Sequence, residues 1–195
     1  MRDASRDDPR FRRSRDRMLA ALRDVARAGD VTIAAVCAAA GVTRATFYNH
    51  FESLEEAAWV AMLDSLDDLL RKDAVARRGG ADPDAVGMAS LGKVVELLRV
   101  DGALARLADN HPSDSVLPGL ADVILGQVRW FRSEFGAPTT ADLAAEEIYI
   151  AAGLYALLAN GARGERDPAE VAAVAYSLLP EWMRQPARDG RTPSI

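Results

Sequence analysis

The chain has 195 residues, of which 49% are apolar and 27% charged, with a formal net charge of −5. This composition excludes a collagen-like or largely disordered protein, and no apolar run reaches the roughly 18 to 20 residues that cross a bilayer. One cysteine, Cys37, excludes an intramolecular disulfide and a multi-cysteine zinc site. The charged N-terminus lacks the apolar segment of a secretory signal, so we expect a cytoplasmic protein.

Apolar residues recur at helical spacing along nearly the whole chain, and no alternating strand pattern is sustained, so the sequence predicts an all-α fold. The first half begins with a predicted disordered basic arm at residues 1–12, followed by a helix from about Ser14 to Ala28. A short second helix follows the N-cap Thr32, and Thr43 caps a third. A long fourth helix extends from the N-cap Ser53 to about Arg77.

The second half begins after a break at residues 78–80. Three predicted helices come first, from Pro83 to about Val100, from Asp101 to Asn110 and from about Leu117 to Phe135. The next is capped by Thr140 and extends to Asn160, with Gly161 at its end. The last begins at Asp167-Pro168, and Pro180 ends or kinks it. Residues 186–195 are predicted to be disordered.

Charge is distributed unevenly. Residues 1–54 hold ten Arg, no Lys and seven acidic residues, a net charge of +3, whereas residues 55–195 hold 14 basic and 22 acidic residues, a net charge of −8. A basic head on an acidic body is typical of a protein whose head meets a polyanion such as nucleic acid. A solvated Arg-rich tail would give the same charge pattern.

Residues 32–51 have the spacing of a helix-turn-helix. The turn needs a residue that tolerates a positive φ, and Gly41 supplies it. Val42, Phe47 and Phe51 are expected to pack inward, which leaves a polar outer face made of Arg44, Ala45, Tyr48, Asn49 and His50.

This outer face has the chemistry to read DNA. Arg can donate to guanine, Asn can pair with adenine, and the methyl groups of Ala and Thr can contact thymine. Tyr and His can bind phosphate, and the helix N-termini at Thr32 and Thr43 can direct backbone N–H groups at phosphates. A helical hairpin inside an ordinary core is the alternative.

The run TIAAVCAAAGVTRATFYNHFESLEEAA at residues 32–58 resembles the DNA-binding signature of the TetR family of bacterial transcriptional regulators, AcrR-like members included. The aromatic cluster Phe47-Tyr48-x-His50-Phe51 makes the resemblance specific, and it extends over about residues 14–63. It implies a DNA-binding domain at residues 13–53 and a helical regulatory and dimerisation domain at residues 54–185.

The resemblance also implies which residues approach DNA, namely Thr32, Thr43, Arg44, Ala45, Thr46, Tyr48, Asn49 and His50. Leu54 departs from the family pattern, because members often have a phosphate-binding Lys there. We therefore expect weaker non-specific DNA affinity, offset by arginines of the arm at positions 10, 12, 13 or 15.

The regulatory domain is expected to hold an effector pocket. Its candidate wall residues are Trp59, Met62, Met88, Leu91, Leu107, Trp130, Phe131 and Tyr149, although ordinary core packing would explain each one. Few charges fall inside the apolar stripes, which favours an apolar or aromatic effector.

The segment 148–159, IYIAAGLYALLA, carries no charge over three turns, so this helix must be covered on more than one side. It is either the central helix of a monomer core or, with the last helix, half of a twofold four-helix interface. The candidate interface residues are Leu154, Leu158, Val171, Val174 and Leu178.

No catalytic constellation or metal-ligand spacing is found, so we expect neither a cofactor nor an enzyme. His111 is expected to be a solvated loop residue, Cys37 a buried inert thiol, and the pairs Glu146-Glu147 and Asp67-Asp68 solvated. The sequence thus predicts a dimeric repressor that leaves a palindromic DNA operator when it binds a small, largely apolar effector. An activator, a regulator responding to a protein partner, a plain helical interaction module and a helical enzyme are the alternatives.

Overall fold

The computed structural model describes residues 9–29, 31–112, 117, 119–135 and 143–184. These residues form α-helices joined by turns and contain no β-strand, which confirms the all-α prediction. None of the described helices is long and apolar enough to cross a membrane. The helices are α1 Pro9–Ala28, α2 Ile33–Ala40, α3 Arg44–Tyr48, α4 Leu54–Arg78, α5 Pro83–Val100, α6 Gly102–Asp109, α7 Leu120–Phe135, α8 Leu143–Arg163, α9 Pro168–Ser177 and α10 Glu181–Arg184.

The first three helices form a small head around a continuous apolar core. Leu22 of α1, Val36 of α2 and Phe47 of α3 are fully buried in it. Phe51, just after α3, closes the same core. Since α3 has only five residues, this packing and its cap hold it in place more than intrinsic helix propensity does.

The head is joined to the body by α4 and by two arginines of α1. Arg23 donates to the carbonyl of Ala61 on α4 at 2.8 Å. Arg27 donates to the carboxylate of Asp101 at 3.0 Å, and that carboxylate is buried between α5 and α6. Charge-assisted bonds of this kind fix the orientation of the head on the body.

The body is a bundle in which α5 packs against α9, α7 against α8, and α4 against α5 and α6. Two glycines permit close helix approach. A Cβ at Gly87 would lie 2.3 Å from the ring of Tyr176, and a Cβ at Gly161 would lie 2.5 Å from Val171. The expectation that Gly161 ends its helix is therefore wrong: α8 continues to Arg163, and Gly161 instead makes room for α9.

The junction between α8 and α9 is held by one side chain from α5. Arg99 Nη2 donates to the carbonyls of Gly161 at 3.2 Å, Gly164 at 3.3 Å and Arg166 at 2.7 Å. Carbonyls at a helix C-terminus lack intrahelical partners, and this guanidinium supplies them with donors.

Three predicted boundaries need correction. Helix α1 begins at Pro9 rather than Ser14, so residues 9–12 are helical and not part of a disordered arm. Proline is well suited to a first helical position, because its missing N–H would have no partner there. Helix α7 begins at Leu120, after Gly119 adopts a positive φ, rather than at Leu117. Helix α9 ends at Ser177, and Trp182 lies on the separate α10. The predictions for residues 1–8, Thr140 and residues 186–195 fall outside the described residues.

Candidate DNA-binding surface and effector cavity

Two threonine caps and a glycine turn build the connection from α2 to α3. The Thr32 hydroxyl accepts from the Ala35 N–H at 3.2 Å, and the Thr43 hydroxyl accepts from the Thr46 N–H at 3.1 Å. Between them Gly41 has φ +64°, the left-handed conformation that favours glycine. The Val42 N–H then donates to the Cys37 carbonyl at 3.0 Å, which completes the C-terminal cap of α2.

The outer face of α3 is polar and accessible. Arg44, Ala45 and Asn49 are exposed, and Tyr48 is 56% exposed. Thr46 is half-buried, and its hydroxyl lies 2.9 Å from that of Thr43. The structure thus brings the predicted residues of α3, together with the two caps, onto one surface.

His50 does not lie on this open face as expected. Its ring stacks on Phe11 of α1 with centroids 3.8 Å apart, and its Nε2 lies 2.7 Å from the Ser14 hydroxyl. Ser14 donates to the Phe11 carbonyl at 2.9 Å, so His50 Nε2 can donate to the Ser14 oxygen, and His50 Nδ1 is buried without a partner among the described residues. His50 therefore ties α1 to the end of α3.

Burial lowers the pKa of His50 below its ordinary value, and the positive charge of Arg15 lowers it further. Both effects favour the neutral ring.

The basic first turns of α1 lie beside this surface. Arg10, Arg12 and Arg13 are exposed and Arg15 is half-buried, all on helix rather than on an arm. Leu54 is the first residue of α4 and packs partly against the core. It presents no charge to a phosphate.

A cavity of about 90 Å³ lies in the body between α4, α5, α7 and α8, with α9 and α10 closing one end. Its wall is mostly aliphatic, with Leu69 of α4, Leu91 of α5 and Val128 of α7 as examples. Phe131 of α7 supplies an aromatic ring.

One buried ion pair interrupts this apolar wall. Asp73 and Arg77, one turn apart on α4, are only 7% and 6% exposed. Arg77 Nε donates to Asp73 Oδ1 at 2.6 Å, and the guanidinium carbon lies 5.1 Å from the centroid of the Phe131 ring. Arg77 Nη1 is buried and has no hydrogen-bond partner among the residues that the structure describes.

The match to a known family lies in the head. Residues 20–56 match the family model described as bacterial regulatory proteins, tetR family. The chain therefore carries the DNA-binding domain of that family. Its helix-turn-helix is accordingly a DNA-binding domain, and the protein is a transcriptional regulator.

A solved structure extends the likeness to the whole TetR-type fold. The crystal structure of RolR in complex with its ligand resorcinol superposes with a TM-score of 0.56 at 18% identity, over 92% of this chain and 97% of that one. At this identity the match shows the fold alone. No curated protein matches the sequence.

Within the body, two of the eight predicted pocket residues, Leu91 and Phe131, line the cavity. The other six lie elsewhere. Met62 is buried in the core next to the head, and Leu107 packs partly against that core. Trp59 stacks on His111 at 5.7 Å, so His111 is half-buried rather than solvated.

The remaining three predicted wall residues also lie outside the cavity. Met88 and Tyr149 are exposed, and the half-buried Trp130 packs edge-on against Phe131 without lining the cavity. Helical periodicity identified these side chains as apolar but could not say which side of a bundle they face.

Some of the predicted interface residues are exposed and others are buried. Val174 and Leu178 are exposed on α9 and after it, Leu178 by 71%. Leu158 and Val171 are buried within the protomer, so neither is available to a partner, and Leu158 lines the cavity. Leu154 lines both the cavity and a surface groove along α8 and α9.

Two further predictions concern charge and the thiol. The pair Glu146-Glu147 is not a solvated face, since Glu147 is buried and pairs with Arg129 at 3.1 Å and Arg132 at 3.0 Å. Asp67 and Asp68 are exposed as expected, and Cys37 is buried as expected.

Sequence reasoning missed the pair formed by Asp73 and Arg77. A signal for it was present, because the two residues follow Leu66 at seven and eleven positions, in register with the apolar stripe of α4. Charged residues in register with an apolar stripe are unusual, and they mark a place where burial demands a partner.

Proposed function

We propose that the protein is a homodimeric repressor that binds a palindromic operator in the bacterial cytoplasm and leaves it when a small, largely apolar effector enters the body. The observation that carries the DNA-binding half is the exposed face of α3, held by the Thr43 cap and the Gly41 turn beside the basic start of α1. In this arrangement a short helix can enter the major groove while helix N-termini meet phosphates.

The side chains of α3 divide into two roles. Arg44 and Asn49 have the donors and acceptors that distinguish base pairs in the major groove. Tyr48 carries a phenol suited to a phosphate, and the N-termini at Thr32 and Thr43 present backbone N–H groups to the DNA backbone. We assign His50 a supporting role, because its Nε2 is already bonded to Ser14.

A second copy of the chain is the proposed occupant of the apolar face formed by α8 and α9. Tyr149 is 80% exposed there, and the exposed Leu178 lines the same groove. Val174 is exposed on α9. Contiguous exposed apolar surface of this kind marks an association site. A twofold dimer would place two heads for successive major grooves, about 34–36 Å apart.

Effector control is supported by the position of α4. This helix begins against the head and continues into the cavity wall at Leu69, Asp73 and Arg77. A ligand that prefers one position of α4 changes DNA affinity through that preference alone. The cavity suits a single-ring molecule, as resorcinol is in the RolR complex.

The first test is selection of bound sites from random duplex DNA by the purified full-length protein at moderate salt. We expect enrichment of a twofold-symmetric site, because two copies of α3 would read two half-sites. Failure of a folded, dimeric protein to enrich any site would contradict the proposal. Enrichment of a single, unsymmetrical site would contradict its dimeric part.

A further inference from the structure

The cavity is mostly apolar, and one polar atom in its wall, Arg77 Nη1, is buried without a hydrogen-bond partner among the described residues. Its charged wall residues are Asp73 and Arg77, and Ser90, Gln127 and Tyr176 are its other polar ones. Tyr176 donates to the Asp84 carboxylate at 2.7 Å, and burial raises its pKa, so the phenol stays neutral and occupied. Arg77 Nη1 is the buried donor whose hydrogen bond is unmade.

An unmade hydrogen bond on a buried guanidinium is costly, and a ligand that supplies an acceptor removes that cost. The acceptor must be small and rigidly placed, because the guanidinium is held at Nε by Asp73 at 2.6 Å and lies over the Phe131 ring. The same ring can pack against an aromatic ligand.

The charge balance of the pair specifies the ligand further. Asp73 already neutralises Arg77 at hydrogen-bond distance. An anionic ligand would therefore add an uncompensated negative charge to an apolar cavity, which carries a large desolvation cost. A neutral oxygen acceptor satisfies Nη1 without that cost.

The volume of the cavity limits the size of the ligand. The cavity of about 90 Å³ is of the same order as the ~150 Å³ apolar cavity that binds benzene in another protein. The ligand can therefore be no larger than one ring with a small substituent.

We propose that Arg77 selects the effector: the cavity takes a neutral, single-ring molecule with one oxygen that accepts from Arg77 Nη1. The pair formed with Asp73 holds the guanidinium in place and discriminates against carboxylates of the same size. This inference rests on the proposed function only in treating the bound molecule as the effector.

Phenol and toluene are the test probes, because they have the same shape and differ by a hydroxyl in place of a methyl group. Calorimetry would give both dissociation constants for the native protein and for the double variant D73L/R77M, in which well-packed apolar residues replace the pair. We expect the preference for phenol over toluene to fall at least tenfold in the variant, the size of effect of a hydrogen bond to a charged group. Taking the ratio of the two probes removes their difference in hydration.

The variant D68L/K72M is the matched control. It replaces an exposed pair with the same spacing on the same helix, Lys72 Nζ to Asp68 Oδ2 at 2.6 Å, and we expect its preference to equal that of the native protein. Should D73L/R77M fail to fold, Arg77→Lys keeps the charge opposite Asp73 but replaces the rigid guanidinium fork, and with it Nη1, by a single nitrogen on a flexible stem. We expect it to lose the preference for phenol as well.

Three outcomes would overturn the inference: an equal preference in native protein and D73L/R77M, tighter binding of benzoate than of phenol to the native protein, or no binding of either neutral probe. If phenol were selected through Arg77 but did not change operator affinity, the inference would hold and the effector role in the proposed function would be wrong. Operator binding is measured separately, so the two failures are distinguishable.

Discussion

The head and the body use polar side chains in opposite ways. In the head, Thr32 and Thr43 are satisfied by backbone groups three residues away, and Arg44 and Asn49 remain exposed. In the body, Asp73 and Arg77 are buried and hold each other. The comparison suggests that substitutions in the head alter recognition with little effect on stability, whereas substitutions in the cavity wall alter stability as well.

The largest expected effect comes from breaking the buried pair on one side only. Arg77→Met leaves Asp73 buried without its partner, and we expect a loss of about 3–5 kcal/mol in the free energy of unfolding. Urea denaturation followed by circular dichroism measures it. The control Lys72→Met breaks an exposed pair on the same helix and should leave the unfolding free energy nearly unchanged. Similar losses in the two variants would remove the distinction between buried and exposed pairs.

An intermediate effect is expected in the head, on binding rather than on folding. Arg44→Ala should weaken binding to the selected operator by about 1–3 kcal/mol and relax specificity at one base pair. Binding to random duplex DNA should change much less, and the unfolding midpoint should not move. Fluorescence anisotropy with both DNAs measures this, with Arg71→Ala, on the exposed side of α4, as the control. Equal losses on both DNAs would rule out base reading by Arg44.

The smallest effect concerns His50, a half-buried polar residue of the head. Its folded-state pKa is lowered from the ordinary 6.5, so the unfolded chain binds the proton more readily. The associated stability is fully present above pH 6.5 and is lost as the pH falls from there through the lowered value. We expect the urea midpoint of native protein to drop more between pH 7.5 and 5.5 than that of His50→Gln.

The chain offers its own control for this measurement. His50 and His111 are its two histidines, so His111→Gln should keep the native pH dependence. If His50→Gln retained the full pH dependence, carboxylates rather than this ring would account for it.

The local part of the site could be predicted from the sequence. The caps at Thr32 and Thr43, the turn at Gly41 and the inward Phe47 depend on hydrogen bonds and periodicity within a few residues. For the same reason, the start of α9 at Asp167-Pro168 was predicted from its sequence signature.

The predictions that were wrong concern residues whose surroundings depend on which other helix packs against them. The inward packing expected for Val42, Phe47 and Phe51 leaves His50 on the open face, yet the first turns of α1 provide the Phe11 and Ser14 that cover it. Gly161 resembled a helix end, because the same absence of a side chain that permits a cap also permits Val171 to approach. The cavity could not be predicted because its wall is assembled from six helices.

Arg99 has a consequence for how sequences of this fold can diverge. Its guanidinium bonds to the backbone of the connection between α8 and α9, at Gly161, Gly164 and Arg166, and not to any side chain there. A backbone carbonyl is the same whatever residue carries it, so this contact leaves the residue types at positions 164–166 unconstrained. The residue type that this contact requires is the arginine at position 99, more than 60 residues earlier in the chain. An alignment would therefore show a variable connection and a conserved arginine, with no covariation between them to indicate that they touch.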